Sequence, residues 1–454
     1  MTEKTKDYIK PQITRIGHPL FTKHGHSPSA QLPTCSEIDG VSIAELVNQF
    51  GSPLFVFSEQ AIVDQYQRMV QAFRTRYSQV TLGWSYKTNY LRGICSLFHQ
   101  LGSWAEVVSD FEYERARSLG VPGHRIIYNG PFKTIASLEQ AAREGARVHI
   151  ESFDELRDLE EIAQRHQFRP KVGIRINLNC GISPNWTRFG FNLEGGQAWQ
   201  AIERIQRENR LDLVGLHTHI GTFILDCQAY QVAALKLCEL AKKIRERFQL
   251  QIRYLDLGGG FPSLNRLKGI YQPPEVAIPK IDAYAEAITS ALKKEFPGDS
   301  GPELVLESGR HMIDDAGHLV SSVTSSKLLP DGRRAYILDA GVNMLYTSTW
   351  YKPRIALDGA ELGLAAPSAL LGPLCMNIDV LDESLMLPRL ERGKKLVFHP
   401  VGAYNVTQWM QFIQYRPAVV LIRKNKKVDI LRIRENLEMM DLCERLPPDL
   451  ILPI

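Results

Sequence analysis

Two hydrophobic patterns alternate along the chain from residue 80 to about residue 310. Short apolar runs rich in β-branched and aromatic residues, bounded by turn-forming residues, predict strands. Between them, apolar residues spaced three and four positions apart predict amphipathic helices. The predicted strands are 80–86, 104–108, 125–128, 147–150, 171–176, 211–219, 252–257 and 303–307. The predicted helices are 111–119, 135–144, 153–166, 229–247 and 281–296.

Eight strands alternating with helices over roughly 230 residues predict an α/β fold, a (β/α)8 TIM-like barrel. A Rossmann-type open sheet is the alternative that the strand count alone leaves open. The proline-rich stretch 263–279 is predicted to be a long surface loop between the seventh and eighth strands.

The pattern changes after residue 315, where short β-branched runs are separated by Gly, Pro and Asp turns without a long helix. This pattern predicts an all-β C-terminal domain, a β-sandwich or β-barrel, after the TIM-like barrel. The predicted domains are an N-terminal segment 1–50 that could pair with the C-terminal domain, a barrel over 51–312 and a β domain over 313–454. An apolar strand at 54–57 precedes the barrel and could belong to the second sheet.

Composition and charge indicate a globular chain without a polyanionic partner. The chain has 454 residues, of which 44% are hydrophobic and 23% charged, and its formal net charge is only +4. The basic cluster 423–427 lies between two strand-like runs, which favours a hairpin turn over a nucleic-acid site. Seven scattered cysteines without a CxxC pair indicate a reducing compartment and no zinc site. Residues 1–10 are polar and no apolar run reaches the roughly 20 residues that span a bilayer, which predicts a cytoplasmic protein with no membrane partner.

Residues with useful chemistry stand at the carboxyl ends of the predicted barrel strands, where barrel active sites lie. The first strand ends in GWSYKTNY, where Lys87 could be solvated at the surface or could hold an aldehyde cofactor as a Schiff base. The sixth ends in HTHIGT, whose two histidines could face the same side and bind a metal, but no matching carboxylate–histidine set stands nearby. The full set is Lys87, Glu106, Arg175, His217, His219, Gly221, Thr222, Gly258, Gly259, Gly260, Glu307, Gly309 and Arg310.

One ligand would use all these groups, a pyridine ring that carries an aldehyde and a phosphate. Lys87 would bind the aldehyde, and the imidazole of His219 would lie flat on the ring. The three consecutive glycines and Arg310 would hold the phosphate, because glycine amides approach an anion without obstruction. Glu307 at the ring nitrogen would keep that nitrogen protonated and make the ring a strong electron sink. Alone, the glycines could form a flexible turn and ESGR a surface ion pair.

The ordered motifs YKTN, HIGT, GGGFP, ESGR, GPLC and GAY resemble those of the pyridoxal-phosphate decarboxylases of the alanine-racemase fold. That family includes diaminopimelate, ornithine and arginine decarboxylases, and the likeness runs from about residue 45 to about residue 440. The resemblance implies pyridoxal 5'-phosphate as cofactor, decarboxylation of an amino acid at Cα, and a homodimer whose active sites are shared between subunits.

The resemblance also implies residue roles. Lys87 is similar to the Schiff-base lysine, His219 to the imidazole that stacks on the cofactor, and Glu307 to the carboxylate at the ring nitrogen, with an arginine expected beside it. Cys375 in GPLC resembles a cysteine that reaches in from the partner subunit and protonates Cα, although a buried structural thiol is the alternative. Tyr404 in GAYN resembles a phosphate-binding tyrosine. The other implied cofactor contacts are Glu106, Arg175, Thr222, Gly258, Gly259, Gly260 and Arg310.

The distal end of the predicted substrate site departs from the family's pattern. Met376 stands where relatives have an acidic residue that pairs with the substrate's distal ammonium, and Asp358 stands where they have a tyrosine. Arg310 and Arg354 match the arginines that hold the distal carboxylate in diaminopimelate decarboxylases, and Asp379 matches a later aspartate of the family. The implied substrate contacts are Arg310, Arg354, Cys375, Met376 and Tyr404. The expected reaction converts meso-diaminopimelate, or a close diamino acid, by loss of carbon dioxide.

Three alternatives stay open. A larger amino-acid conjugate, or an aminoacyl group on a carrier protein in specialised biosynthesis, would suit Met376 and the aromatic residues Trp350, Tyr351 and Trp409, each of which could equally lie in the core. A racemase on the same barrel is less favoured, because racemases of this fold place an arginine, not a carboxylate such as Glu307, at the ring nitrogen. A regulatory relative that binds no cofactor is the alternative of another class, and the intact cofactor residues speak against it.

Overall fold

The computed structural model describes residues 32–182, 184, 186–270, 272–298, 301–361 and 363–450. Within them, eight parallel strands follow one another around a closed barrel, and the last pairs with the first. The barrel strands are Val80–Ser85, Trp104–Val107, Ile126–Tyr128, Arg147–Ile150, Lys171–Asn177, Asp212–His217, Tyr254–Asp256 and Glu303–Ser308. The closed ring confirms the TIM-like barrel, and the open-sheet alternative is wrong. A two-residue strand, Phe191–Asn192, pairs with the fifth barrel strand outside the ring.

Helices alternate with the barrel strands. They are Glu59–Arg74, Arg92–Gln100, Asp110–Ser118, Ile135–Arg143, Phe153–His166, Gln197–Glu208, Cys227–Phe248 and Ile281–Glu295. Several begin where a hydroxyl accepts an N–H of the first turn, as Ser109 does from Glu112 and Ser152 from Glu155. The five predicted helices are confirmed, with ends shifted by at most two residues. Shorter helical segments are Ile43–Phe50, Tyr86–Thr88, Gly123–Arg125, Pro274–Ala277, Arg310–Ile313, Asp314–Ala316, Tyr346–Thr349, Leu437–Asp441 and Pro448–Leu450.

The lower interior of the barrel is filled by side chains. Ile127, Val214, Tyr254 and Val305 are buried against one another there, and Trp104 packs against them. Such filling is typical of closed eight-stranded barrels, whose centre is a core and not a channel. The space that can take a ligand is therefore at the carboxyl ends of the strands.

The C-terminal domain is a sheet of nine strands within the described chain. Seven strands are hydrogen-bonded side by side in the order Val380–Leu387, Ala366–Leu371, Arg334–Leu338, Gly317–Leu328, Leu54–Ser58, Ala418–Ile422 and Val428–Arg432. The other two strands lie off this path. Lys395–His399 pairs with Gly317–Leu328, and Arg354–Leu357 pairs with Lys395–His399. The strand Leu54–Ser58 precedes the barrel in sequence but lies inside this sheet, with all five side chains buried. The basic cluster 423–427 forms the turn between the last two strands, as expected, with Arg423 N donating to Lys427 O.

The described N-terminal residues contact the second domain. The backbone N–H of Cys35 donates to the carbonyl of Leu357, and the N–H of Leu357 donates to the carbonyl of Pro33. The strands Glu37–Ile38 and Val41–Ser42 form a small hairpin of their own. Residues 1–31, the larger part of the predicted N-terminal segment, lie outside the described residues.

The predicted surface loop 263–279 is anchored at its start. Ser263 and Asn265 are buried, and both donate hydrogen bonds to the carboxylate of Asp314. Asn265 also donates to the carbonyl of Pro400 in the second domain. The surface prediction is therefore wrong for the first residues of this loop, because they tie the barrel to the sheet. Within the described ranges, no helix has both the length and the apolar character needed to cross a membrane.

Candidate active site

A cavity of about 530 Å³ lies at the carboxyl ends of the barrel strands. The second domain contributes Trp350, Tyr351, Tyr404 and Gln408 to its wall. The predicted site residues that line the cavity are Lys87, Glu106, Arg175, His217, His219, Thr222, Gly260, Glu307, Gly309, Arg310 and Tyr404. The structure thus brings together groups that are spread over more than 300 positions of the sequence.

Lys87 lies one turn beyond its strand, in the segment Tyr86–Thr88. Its Nζ lies 2.8 and 2.6 Å from the two carboxylate oxygens of Glu106, a fully buried residue of the neighbouring strand. Burial lowers the pKa of Lys87, but the carboxylates of Glu106 and Glu307 raise it by more, so the net shift is upward. The amine is therefore held as an ammonium inside the cavity, and the interpretation as a solvated surface lysine is wrong.

Glu307 is the second buried carboxylate of the cavity. Its Oε1 accepts from Nδ2 of Asn129 at 2.6 Å, and its Oε2 lies 3.5 Å from Nε2 of His217. Burial, followed by the charge of Glu307, raises the pKa of the neighbouring Asp256 well above its usual value. Asp256 is therefore the carboxyl group of this pair whose protonated form is favoured by its surroundings.

His219 is held next to the glycine segment by a backbone hydrogen bond. Its Nδ1 accepts from the N–H of Gly259 at 3.0 Å, and its ring centroid lies 5.5 Å from that of Trp186. Burial, followed by the charge of Arg175, lowers the pKa of His219 to about 3. The imidazole is therefore neutral, with its hydrogen on Nε2, and presents a flat uncharged ring to the cavity.

The three glycines after the seventh strand are required by close contacts. Gly258 and Gly260 have φ values of +63° and +91°, which favour glycine. A Cβ at Gly259 would overlap the carbonyl oxygen of Glu307, and one at Gly258 would lie 2.7 Å from Nδ1 of His219. The backbone here is consequently free of side chains and can approach a ligand directly.

Arg310 supplies a positive charge beside these glycines. Its side chain is buried, with Nη1 3.4 Å from Oδ2 of Asp314, and its guanidinium lies 4.5 Å from the ring centroid of Tyr351 and 4.8 Å from that of Tyr404. The Nε atom is buried without a hydrogen-bond partner among the described residues. An unsatisfied cationic donor in a cavity is a natural partner for an anion.

These residues fit pyridoxal phosphate. The amine of Lys87 can bind the aldehyde, and the carboxyl group of Glu307 can pair with the ring nitrogen. The neutral imidazole of His219 provides a flat neighbour for the ring. The side-chain-free glycine segment and the unpartnered Nε of Arg310 provide donors for a phosphate.

Arg175 lines the same cavity as Glu307, but it makes its ion pair with another residue. Its Nη1 donates to Oε2 of Glu151 at 3.2 Å, and its guanidinium lies 4.6 Å from the ring centroid of Phe189. Among the described residues, no ion pair within 4.0 Å joins Arg175 to Glu307. The side chain that donates a hydrogen bond to the carboxylate of Glu307 is the amide of Asn129.

Three of the residues predicted to contact the substrate, Arg354, Cys375 and Met376, lie apart from the cavity of this chain, whereas Arg310 lines it. Cys375 is exposed and Met376 is half-buried, and neither lines the cavity. Arg354 is exposed and pairs with Glu275 at 3.3 Å. Thr222 and Tyr404 do line the cavity, and Tyr404 has a φ of +66° with its N–H bonded to Thr88 O at 2.8 Å.

The aromatic residues near the site divide into two groups. Trp350 and Tyr351 line the cavity, whereas Trp409 packs on Phe55, with ring centroids 5.6 Å apart. Other apolar lining residues were not predicted from the sequence: Trp186, Phe189, Phe223, Phe261 and Leu267. Their signal was weak, because single aromatic residues in loops are as common in cores as in ligand sites.

The two histidines of the HTHIGT motif, His217 and His219, lie in different surroundings. The sixth strand ends at His217, whose ring stacks on that of His149 at a centroid distance of 4.5 Å, while His219 lies beside Gly259. His149 and Asn129 were not predicted as site residues. Asn129 is one polar residue after an apolar strand and His149 one polar residue within a strand, and such positions carry little signal on their own.

The chain belongs to the pyridoxal-dependent decarboxylases, since the sequence profile of that family's pyridoxal binding domain matches residues 60–314. It is thus an amino-acid decarboxylase that uses pyridoxal phosphate.

Among particular relatives, the chain is similar to the diaminopimelate decarboxylase of Methanothermobacter thermautotrophicus, with 29% identity over 91% of this chain and 96% of that one. The solved diaminopimelate decarboxylase of M. jannaschii, also solved with L-lysine, superimposes with a TM-score of 0.83 at 28% identity, over 91% and 97% of the two chains. A lysine/ornithine decarboxylase from Vibrio vulnificus superimposes with a TM-score of 0.72 at 25% identity, over 85% and 98%.

Proposed function

We propose that this enzyme decarboxylates meso-diaminopimelate to L-lysine. The observation that carries the proposal is the buried carboxyl group of Glu307, which lines the cavity and accepts a hydrogen bond from the amide of Asn129. A carboxylate at this position favours decarboxylation over racemisation, because it keeps the cofactor nitrogen protonated. Full-length likeness to diaminopimelate decarboxylases, one of them solved with L-lysine, supports the choice of substrate.

Each residue has a proposed task. Lys87 holds the cofactor at its aldehyde, and Glu106, which binds the ammonium of Lys87, keeps that amine in place between turnovers. His219 supports one face of the ring, and Arg310 with the glycine amides holds the phosphate. Bound pyridoxal phosphate supplies the electron sink that accepts the bond pair left at Cα when carbon dioxide departs.

We propose a homodimer with shared sites as the form that turns over. Cys375 is exposed and outside the cavity of its own chain, so a thiol that protonates Cα would have to come from the partner. Exposed apolar side chains support an interface on the C-terminal domain, because exposure of a large apolar surface to water is unfavourable and typically marks a contact with another protein. They include Phe412, Ile413, Tyr415, Leu437 and Leu442.

The test is a decarboxylation panel on the cofactor-loaded enzyme, with products identified by mass spectrometry. The panel contains meso-diaminopimelate, both enantiomers of lysine and ornithine, and arginine. We expect L-lysine from meso-diaminopimelate and a Lys87→Ala variant that neither turns over nor shows the visible absorbance of the bound cofactor. Turnover in the Lys87 variant would refute the assignment of that residue.

Mixing two inactive variants tests the shared site. If Lys87 and Cys375 act from opposite subunits, the Lys87→Ala and Cys375→Ala homodimers both have little decarboxylase activity. Refolding the two variants together creates heterodimers, each with one intact site. Random pairing predicts recovery of about a quarter of the parental activity. No recovery, with mixed dimers demonstrated by mass, would place both residues in one subunit's site.

A larger amino-acid conjugate or a carrier-bound aminoacyl group is the second candidate. It is favoured by the aromatic residues Trp186, Phe223 and Trp350 in the cavity wall. In addition, Met376 replaces the usual acidic residue, and Arg354 lies outside the cavity. The same panel separates the candidates. Inactivity toward every free diamino acid, with the cofactor's absorbance intact, would exclude meso-diaminopimelate and direct the search to conjugates.

A further inference from the structure

A chain of buried polar side chains connects the two cavity carboxylates to the barrel interior. The hydroxyl of Tyr254 lies 3.0 Å from Nε2 of His149, and Nδ1 of His149 lies 2.7 Å from Oδ1 of Asn129. Nδ2 of Asn129 then lies 3.0 Å from Oε1 of Glu106 and 2.6 Å from Oε1 of Glu307. One amide group therefore touches both carboxylates, the partner of Lys87 and the proposed partner of the cofactor ring.

Only one arrangement of hydrogens satisfies every atom of this chain. Ionised carboxylates only accept, so Asn129 must direct its NH2 group at Glu106 and Glu307. Its Oδ1 then accepts a hydrogen from Nδ1 of His149. A neutral imidazole carries one hydrogen, so Nε2 accepts from the hydroxyl of Tyr254. The phenol of Tyr254 therefore ends the chain that begins at the carboxylates, and among the described residues it makes no hydrogen bond with either of them.

The environment keeps His149 and Tyr254 uncharged and makes room for them. Burial, followed by the neighbouring His217, lowers the pKa of His149 well below its usual value, and burial raises that of Tyr254. A Cβ at Gly173 would lie 2.5 Å from the His149 ring and 2.7 Å from the Tyr254 hydroxyl, while one at Gly215 would overlap the Tyr254 ring. Glycine at these two strand positions therefore leaves the space that the side chains of His149 and Tyr254 occupy.

A metal site is the other use that these residues suggest. His149, His217 and Glu307 place three possible ligand atoms within 4.8 Å of one another. Both ring nitrogens of His149 already have hydrogen-bond partners, however, so an ion would have to break the contact with Asn129 or with Tyr254. The hydrogen-bonded chain accounts for His149 without such a loss.

The geometry points to Tyr254, His149 and Asn129 as positioning residues that orient Glu106 and Glu307 together. The inference deepens the proposed function, since it rests on the proposed roles of those two carboxylates. Tyr254 selects the tautomer of His149, and His149 fixes the amide of Asn129 with its NH2 group toward the carboxylates. If the tautomer reverses, the amide turns over and presents Oδ1 to two anions, which repels them.

Tyr254→Phe is the sharpest perturbation, because it removes one oxygen atom that lies outside the cavity lining. The matched control is Tyr77→Phe, whose buried hydroxyl donates to Pro302 O at 2.6 Å. We expect both variants to lose similar thermal stability. Only Tyr254→Phe should weaken binding of pyridoxal phosphate by the apoenzyme, by about three- to tenfold, as the loss of one oriented hydrogen bond predicts. Equal cofactor dissociation constants for the two variants would overturn the inference.

Coupling between positions separates a positioning role from a general packing role. Asn129→Ala should weaken cofactor binding by about tenfold or more, and adding Tyr254→Phe to it should cause no further loss. His149→Asn keeps a donor toward Asn129 but cannot reach the phenol, so it should bind cofactor better than His149→Leu and be insensitive to Tyr254→Phe. Additive losses in these double variants would refute the chain.

A parallel Glu307→Ala variant distinguishes this failure from failure of the proposed function. If Glu307→Ala leaves both cofactor affinity and turnover unchanged, the role proposed for the carboxylate of Glu307 is wrong. If Glu307→Ala impairs both while Tyr254→Phe behaves like Tyr77→Phe, only the positioning chain is wrong.

Discussion

Replacing Asp379 with alanine is expected to destabilise the enzyme by about 3–6 kcal/mol. The carboxylate is buried and accepts the backbone N–H groups of Val342 and Leu374, each at 2.8 Å. Each hydrogen bond to a charged acceptor contributes about 1.5–3 kcal/mol, and alanine leaves two buried donors without partners. Gly341 and Gly372 leave no space for rearrangement, since a Cβ at Gly341 would lie 2.5 Å from the carboxylate and one at Gly372 would overlap it.

Urea unfolding of the cofactor-loaded enzyme measures this loss as a shift of the midpoint at constant slope. Asp379→Asn keeps one acceptor but sets an NH2 group against an N–H, so it should lose roughly half as much. Asp331→Ala is the control, because the exposed Asp331 pairs with the half-exposed Arg333 and its loss should leave the urea midpoint essentially unchanged. A loss below about 1 kcal/mol in Asp379→Ala would refute the reasoning.

Function should follow the same perturbation. Leu374 directly precedes Cys375, so freeing its N–H loosens the segment that presents the thiol. We expect Asp379→Ala to lower kcat while the cofactor dissociation constant stays near the parental value, because among the described residues none of the proposed cofactor contacts is hydrogen-bonded to the Asp379 carboxylate. Loss of cofactor binding in that variant would show that the segment has a wider structural role.

Three further changes test other parts of the site. Burial, followed by Glu106, raises the pKa of Glu112 to about 7, so ionisation on going from pH 5 to pH 8 costs the folded state on the order of 3 kcal/mol relative to the unfolded chain. Glu112→Gln should gain stability over the parent by that amount across this range in urea titrations, and a pH-independent difference would contradict it. Lys133→Met leaves the carboxylate of Glu155, 2.7 Å away, buried without its partner and should cost about 3–5 kcal/mol in thermal unfolding. Adding Glu155→Leu should restore most of that, whereas additive losses would contradict the pairing. Gly259→Ala places a methyl group on the backbone of Glu307 and should weaken cofactor binding at least about tenfold, measured by titration of the apoenzyme; an unchanged constant would exclude a close approach there.

Much of the cofactor site follows from one property of parallel strands, which end at a common edge. Lys87, Glu106, His219 and Glu307 lie at or just beyond the ends of four different strands, so the barrel prediction alone places them together. Asn129 did not stand out, because its importance lies in the distances to its neighbours and not in its own motif. The amide orientation is a tertiary property that no local pattern carries.

The helix Glu59–Arg74 was not among the predicted helices, although its sequence has a helical pattern. It buries Ile62, Tyr66, Met69 and Phe73, a spacing that predicts a helix. The strand before it, however, pairs with the C-terminal sheet, so the strand–helix alternation of the barrel begins only at residue 80. The placement of Cys375 and Arg354 was likewise beyond the sequence, since both depend on how loops of the second domain fold.

The position of Leu54–Ser58 has a consequence for synthesis and folding. On the ribosome this strand emerges roughly 360 residues before Ala418–Ile422, its parallel neighbour, which at 5–20 residues per second is about 20–70 s. Its five side chains are all buried in the finished protein, so in the nascent chain they stay without their partners while the whole barrel is made. The barrel and the sheet therefore cannot mature one after the other as independent units, and the last strands to be synthesised complete a sheet that the first one began.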